Sequence, residues 1–195
     1  RPAQLGIKDA FLLTTLSWVV LCAFAAVPLI GVGLSYTDAY FEAMSGLTTT
    51  GSTVLTHLDS LPRGVLLWRA LLNGIGGIGV IAMALLILPY LRVGGMQLFH
   101  AESSDKSEKI MPRALELVTA TAGVYIGLIV ACAVVYALFG MTAFDAICHA
   151  MATLATGGFS THDLSFKFFQ SPAIEWAGTV FMLLGALPFV VMIQA

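Results

Sequence analysis

The sequence predicts an all-α integral membrane protein built from repeated helix–re-entrant loop–helix units. Three observations lead there. First, only 10% of the 195 residues are charged and 58% are hydrophobic, with a mean hydropathy of +0.92. A soluble domain carries about 25% charged residues, so this chain cannot cover a water-facing surface and the lipid bilayer is its solvent. Second, four uncharged runs, residues 10–37, 70–91, 117–144 and 176–195, each reach the roughly 20 residues that a bilayer crossing takes. Third, a stretch too polar to cross recurs at a fixed offset. Residues 33–51 fall on residues 140–158, 107 positions on, with eight of nineteen positions identical. The pairs are Gly33/Gly140, Asp38/Asp145, Ala39/Ala146, Ala43/Ala150, Met44/Met151, Leu47/Leu154, Thr49/Thr156 and Gly51/Gly158. Ser35-x-x-Asp38 and Thr142-x-x-Asp145 also correspond. Such a repeat governs the architecture.

The first run contains Pro28 and several glycines, which membrane helices tolerate, and its end is marked by Gly31, Gly33 and Ser35. Ser35 or Asp38 then caps a short helix, with Glu42 near its first turn. Residues 38–47 make about 15 Å of helix, half of a hydrocarbon core about 30 Å thick. A half-length helix has to turn back. Non-helical backbone at membrane depth is tolerated only where protein buries it or where it lines a water-filled cavity, so residues 48–53 are expected to line a pore. Residues 57–63 are polar and return the chain to the surface. A second spanning helix follows from about Gly64 to Leu91, with Pro89 and Arg92 at its far end.

Residues 92–116 are the one long hydrophilic connection, strongly charged over 103–109, and Pro112 suits the first turn of the next helix. The second cycle then runs through a helix from about 113 to 139, a half helix over 145–154, a strand over 155–159, a polar return over 161–170 and a helix from Pro172. The organisation is a first unit over 1–91, a cytoplasmic connection over 92–112 and a second unit over 113–195. The chain begins without Met or a secretory signal and stops inside an apolar run, so both ends read as cuts in something longer. Cys22, Cys132 and Cys148 lie in apolar runs without CxxC spacing and are expected to be buried free thiols.

Lysine and arginine orient the chain. Arg1, Lys8, Arg92, Lys106, Lys109 and Arg113 lie at the N-terminus and the connection, whereas the re-entrant segments carry Arg63 and Lys167. The positive-inside rule puts the former in the cytoplasm. The loop mouths then face outward and hold Asp38, Glu42, Asp59, Asp145 and Asp163, an acidic entrance that concentrates cations. An ion crossing lipid must replace its water shell, which a ring of backbone carbonyls can do. Such a strand needs small or hydroxyl side chains and a glycine that accepts positive φ. Thr48-Thr49-Thr50-Gly51 and Ala155-Thr156-Gly157-Gly158 have that make-up, and each half helix aims its negative C-terminal end at the membrane centre, where it suits a cation. Plain turns between packed helices would not explain the repeat, the half-length helix and the glycine placement together.

Other signals are weaker. Gly74-Ile-Gly76-Gly77-Ile-Gly79 matches GxGxxG, but no strand precedes it and it lies inside an apolar run. Close helix packing through small residues is expected there, not a dinucleotide site. His57, His100, His149 and His162 lack metal-ligand spacing and read as ordinary loop residues, with cation attraction by Asp163 the sharper alternative. No nucleophile–base pair is visible, so the chain is not read as an enzyme. Arg69 enters the membrane with its helix and either snorkels to the headgroups, the simpler expectation, or pairs with an acid such as Glu42 or Glu175. The run 101–109 reads as a solvated loop, with a regulatory contact as the alternative. The net charge of −2 gives no sign of nucleic-acid binding.

The segments FEAMSGLTTTGS, LPRGVLLWRALLNGIGGIGVIAMALLILP, LRVGGMQLFHAESSDKSEKI and HAMATLATGGFSTHD resemble the Trk-type potassium uptake proteins of the Trk/Ktr/HKT superfamily, their membrane subunit in particular. The resemblance covers nearly the whole chain. It implies a potassium-channel-like fold in which four such units surround a central pore with one filter glycine each, here Gly51 and Gly158. The carbonyls of Thr49, Thr50, Thr156 and Gly157 would then line the potassium path, with Thr48, Ser52, Ala155 and Phe159 completing the filter. It also implies potassium as the transported ion with no other cofactor, a homodimer, a cytoplasmic nucleotide-binding regulatory subunit, and a multi-pass position in the bacterial inner membrane. Only the first two units are present. The third, which carries a gating loop in the family, and the fourth are absent. Two loops cannot ring an ion, so the remaining repeats or a second copy must complete the pore. One glycine per loop, against two in TVGYG, implies weaker discrimination against sodium. The rival readings are a secondary transporter with its solute at the broken helices, which the uncharged helices oppose, and a non-conducting fragment whose repeats only pack helices.

Overall fold

A computed structural model describes residues 7–91 and 110–187, and among them there are helices and 3₁₀ turns but no strand. The first unit comprises α1 (Ile7–Ala25), α2 (Val27–Ile30), the half helix α3 (Tyr36–Leu47) and α4 (Arg63–Leu91). The second comprises α5 (Ile110–Leu138), the half helix α6 (Ala143–Leu154) and α7 (Pro172–Ala186). Among the described residues three stretches are long and apolar enough to cross a membrane: Phe11–Ile30, Arg63–Met83 and Glu116–Leu138. The expected connection over 92–112, with its charged run, lies outside the described residues as far as 109, and α5 is entered at Ile110. Residues 188–195 of the expected fourth crossing also lie outside them; α7 begins at Pro172, as the sequence suggests.

The first run, expected to reach residue 37, leaves helical geometry at Ile30. Pro28 has no N–H to donate, and the helix is interrupted between Ala25 and Val27 while Ala26 itself keeps helical dihedrals. Gly33 then takes φ +88°, and its repeat mate Gly140 takes +106°.

Each half helix has 12 residues, about 18 Å of rise, well short of a crossing. Their starts are built alike. The Ser35 hydroxyl accepts from the Asp38 N–H at 3.1 Å and donates to the Asp38 carboxylate at 2.7 Å. Thr142 and Asp145 repeat this at 3.1 and 2.6 Å. These reciprocal caps satisfy a helix end that has no preceding turn, and they settle the choice of N-cap on the hydroxyl residue.

α4 is the centre of the bundle, packing against α3, α5 and α6. α1 covers α3, and α7 covers α6. One core gathers Cys22, Leu29, Ala39, Ala43, Leu47 and Leu72; a second gathers Tyr125, Cys132, Tyr136, Ala150, Leu154 and Ile174; a smaller third, of Ala70, Cys148 and Met151, joins α4 to α6. The three cysteines are free and buried, as expected. The outside is apolar, with Leu12, Leu13, Phe24, Val130, Leu138, Trp176 and Leu183 exposed, a surface suited to lipid or to further helices.

The glycine-rich segment of α4 is a packing surface. A Cβ on Gly76 would strike the carbonyl of Leu47 at the end of α3, and Gly77 abuts Ala155 at the end of α6. In the second unit Gly185 of α7 lies against the Leu154 carbonyl in the same manner. Gly76→Ala should therefore destabilise by about 1–3 kcal/mol through overpacking, although glycine-to-alanine in a helix ordinarily stabilises. Gly64→Ala, which meets nothing within 4 Å, should be neutral or slightly stabilising. Thermal melting in detergent distinguishes the two, and equal melting temperatures would contradict this packing.

Candidate functional site

Each half helix runs directly into an extended segment, strand 1 over 48–52 and strand 2 over 155–159, that joins no sheet among the described residues and doubles back beside it. In loop 1 the N–H groups of Thr49, Thr50 and Gly51 donate to the carbonyls of Gly46, Ser45 and Ser45 at 3.1, 2.9 and 3.4 Å. In loop 2 Ala155, Thr156 and Gly157 donate to Met151, Thr153 and Ala152 at 3.1, 3.0 and 2.9 Å. The strand N–H groups are thus consumed by the helix terminus, whose last carbonyls need partners. The strand carbonyls are left over: those of Thr49, Thr50, Gly51, Thr156, Gly157 and Gly158 accept no hydrogen bond among the described residues. The Ser52 carbonyl, in contrast, accepts from the Ser45 hydroxyl at 2.6 Å.

The backbone is folded identically in both copies. Thr49 and Thr156 sit at φ +54° and +52°, Gly51 and Gly158 at +77° and +91°. Composition foretells the glycines but not the threonines, for which a β-branched side chain makes positive φ costly. The two strands meet. A Cβ on Gly51 would collide with the Gly157 carbonyl, so glycine at 51 is required by space as well as by dihedral. Thr48, Thr50, Ser52, Thr156 and Gly158 are exposed, Thr49 and Gly51 half-buried, and Ala155, Gly157 and Phe159 buried.

Behind the strands lies a buried ion pair. Arg69 of α4 is 1% exposed and Glu42 of α3 is 0% exposed. Arg69 Nε donates to Glu42 Oε1 at 2.7 Å. Arg69 Nη2 donates to Thr53 Oγ1 and Nη1 to the Ser160 carbonyl, both at 3.1 Å. The guanidinium also covers the Phe159 ring at 4.2 Å. Glu42 accepts further from the Thr53 hydroxyl at 2.7 Å and the Val54 N–H at 3.1 Å. One cation thereby ties α3, α4 and the returning segments of both loops together. The expectation of snorkelling is overturned, because Glu42 and two loop acceptors satisfy the guanidinium in place. Glu42 likewise leaves the expected acidic entrance, since it faces inward and is consumed by this pair.

The repeat places His149 where unit 1 has Glu42, and Ser160 where it has Thr53. His149 Nδ1 lies 2.8 Å from the Asp145 carbonyl and Nε2 3.0 Å from Ser160 Oγ. A carbonyl can only accept, so Nδ1 carries the hydrogen, and in the neutral imidazole that burial favours Nε2 accepts from the Ser160 hydroxyl. His149 is therefore a buried half-helix residue and not an ordinary loop histidine, and its bond to serine is structural. Asp145 is nearly buried, accepting from Thr161 at 2.7 Å as well as from Thr142, so it too is withdrawn from the entrance.

At the mouth, the outer loops of the two units lock. His162 Nδ1 donates to the Asp59 carboxylate, Asp163 N–H donates to Asp59 at 3.4 Å, and Leu58 N–H donates to Asp163 at 3.1 Å. His162 stacks on Phe168 with centroids 3.5 Å apart. The bond from His162 holds the Asp59 carboxyl below the usual carboxylate range.

One polar side chain behind the second extended segment has no counterpart among the sequence expectations. Asn73 of α4 is fully buried, and neither amide atom has a hydrogen-bond partner among the described residues. Leaving a buried polar group unpaired costs about 1–3 kcal/mol. An Asn inside an apolar run was the available signal.

A family model described as "TrkH: Cation transport protein" matches residues 1–195. The chain is 49% identical over 196 residues to the Trk system potassium uptake protein TrkI of Halomonas elongata, covering 99% of this chain and 40% of that protein. It is 46% identical over 189 residues to the Trk system potassium uptake protein TrkH of Escherichia coli K12, covering 94% of this chain and 39% of that one. The crystal structure of the potassium transporter TrkH from Vibrio parahaemolyticus matches with a TM-score of 0.86 and 42% identity, over 98% of this chain and 38% of that one. The chain thus spans about 40% of the length of the curated relatives it matches. A match along its whole length, and the same all-helical membrane fold at high identity, make this chain a member of the TrkH family of cation transport proteins.

Proposed function

We propose that the chain forms half of a pore that carries potassium across the membrane, with residues 48–52 and 155–159 contributing two of its four filter strands. The observation that carries this reading is the twofold row of carbonyls that accept no hydrogen bond among the described residues, on segments whose N–H groups at 49–51 and 155–157 turn back into a half helix. In an ordinary extended strand successive carbonyls alternate sides. A positive-φ residue interrupts that alternation, and each strand has two of them. The carbonyls of Thr49, Thr50, Thr156 and Gly157 replace the ion's water. Gly51 and Gly158 permit the geometry, while Thr48, Ser52, Ala155 and Phe159 connect it to the scaffold. No covalent chemistry is assigned to the protein, and potassium is cargo, not a resident cofactor.

The names of the relatives support potassium as the ion. Their greater length supports completion of the ring by two further repeats of the same polypeptide. A bacterial inner-membrane location, a homodimer and a cytoplasmic nucleotide-binding regulatory subunit complete the proposal, on the resemblance to Trk-type proteins.

In the complete protein, Gly158→Ala tests the dihedral alone, because no atom lies within 4 Å of the added Cβ. Strain of about 1–3 kcal/mol should lower rubidium-86 uptake roughly tenfold. Gly51→Ala adds a collision with loop 2 and should be worse. Unchanged uptake and unchanged potassium-over-sodium preference in both variants would defeat the filter assignment. Arg69→Met strands Glu42 as a lone buried charge and should cost about 3–5 kcal/mol of stability. Adding Glu42→Gln, which removes the charge and keeps one acceptor oxygen for the Val54 N–H while its NH2 can donate to the Thr53 hydroxyl, should recover part of the melting temperature. A double variant as unstable as Arg69→Met would refute the coupling.

A further inference from the structure

The two filter strands are braced differently. In loop 1, Thr48 and Thr50 share a hydroxyl–hydroxyl bond of 2.8 Å, and Thr48 Oγ1 donates to the Met44 carbonyl at 2.8 Å. The offset of the repeat puts Ala155 and Gly157 at those places in loop 2. Neither has a hydroxyl to offer, so loop 2 cannot brace itself in this way. A Cβ on Gly157 would lie 2.5, 2.8 and 2.9 Å from Nδ2, Cγ and Oδ1 of Asn73. The Asn73 amide therefore lies flat across the Gly157 Cα, filling the side-chain space of residue 157 from a helix of the other unit. The Gly157 carbonyl is in turn what Gly51 abuts. Asn73, Gly157 and Gly51 form one line of contact running from α4 through the second strand to the first.

We propose that Asn73 is a specificity-determining positioning residue, whose amide holds the Gly157 segment of the second strand at the spacing from Gly51 that potassium needs. This rests on the filter reading above. A glycine has no side chain with which to anchor itself, so the position of Gly157 is set by its neighbours. An amide kept fully buried without hydrogen-bond partners among the described residues is unfavourable where an apolar residue would fill the space more cheaply. Departures of this kind collect at functional sites. Without the amide the strand can relax toward α4, the cage at Gly157 loosens, and discrimination against sodium falls, because selectivity follows the placement of the coordinating carbonyls.

The test uses the complete protein and measures rubidium-86 uptake with sodium as competitor, so that preference is read as a ratio independent of protein amount. Asn73→Ala should retain transport while preference falls roughly tenfold, the change that loss of one modest interaction brings. Gly157→Ala alone should abolish uptake, because its methyl group collides with the amide. Combining Gly157→Ala with Asn73→Ala should restore uptake and much of the preference, since the new methyl occupies the vacated place. A role in folding alone would lower the yield of protein and leave the ratio unmoved. Unchanged preference in Asn73→Ala, or a double variant no better than Gly157→Ala, would overturn the proposal. Gly158→Ala and Gly51→Ala run alongside separate the two levels: if both of them also change nothing, the filter reading fails; if either impairs uptake or preference while Asn73→Ala changes nothing, only the role of Asn73 fails.

Discussion

A guanidinium inside an apolar bundle persists only where each desolvated charge is matched in place. Removing it from water is expensive, and the return comes from geometry and from additional hydrogen bonds. Arg69 meets those terms with its ion pair to Glu42, bonds to Thr53 and to the Ser160 carbonyl, and the face of Phe159. These four partners come from three different pieces of the site. Glu42 is on the first half helix, Thr53 follows the first strand, and Phe159 and Ser160 close the second strand. The other contacts between the strands, including Gly51 against the Gly157 carbonyl, depend on these segments being held in register from behind. The fork of donors on a planar guanidinium suits this task better than an ammonium, which is a point charge on a flexible stem.

The two units solve one problem with different residues. Each must fix the segment that follows its strand to the half helix that precedes it. Unit 1 uses a carboxylate and a cation. Unit 2 uses neutral His149 with Ser160, and Asp145 with Thr161. At the position corresponding to Arg69 the repeat has Trp176, which is exposed, so no second cation comes from α7. The guanidinium of α4 reaches across to Ser160 instead. The asymmetry is thus compensated across the boundary between units, and α4 serves both loops.

Much of the architecture was legible because it rests on local rules. Too few charges for a wetted surface, runs of spanning length, a hydroxyl cap three residues before an aspartate, and a glycine closing each strand are all readable position by position. The offset of the repeat carried the rest, because two copies of one unit must meet their surroundings in similar ways. Proline at 28 is tolerated within the first membrane stretch, with a local interruption between Ala25 and Val27. The acidic entrance was over-read for a definite reason: net charge along a loop does not reveal which carboxylates turn inward. Glu42 and Asp145 do so because Arg69 in one case and two threonine hydroxyls in the other receive them there.

What the sequence by itself determined is the class of protein, the existence of two units, and the stretch in each that leaves its carbonyls unbonded. These follow from composition, from the 107-residue period and from the dihedral freedom of glycine, none of which requires knowing a spatial contact. What only the tertiary structure decided is which distant side chains hold those stretches. Residues 42 and 69, 69 and 160, 59 and 162, and 73 and 157 are brought together by the packing of α4 between two half helices. A buried charge or amide declares only that it needs a partner. The partner is selected by three-dimensional proximity, which no local pattern along the chain encodes.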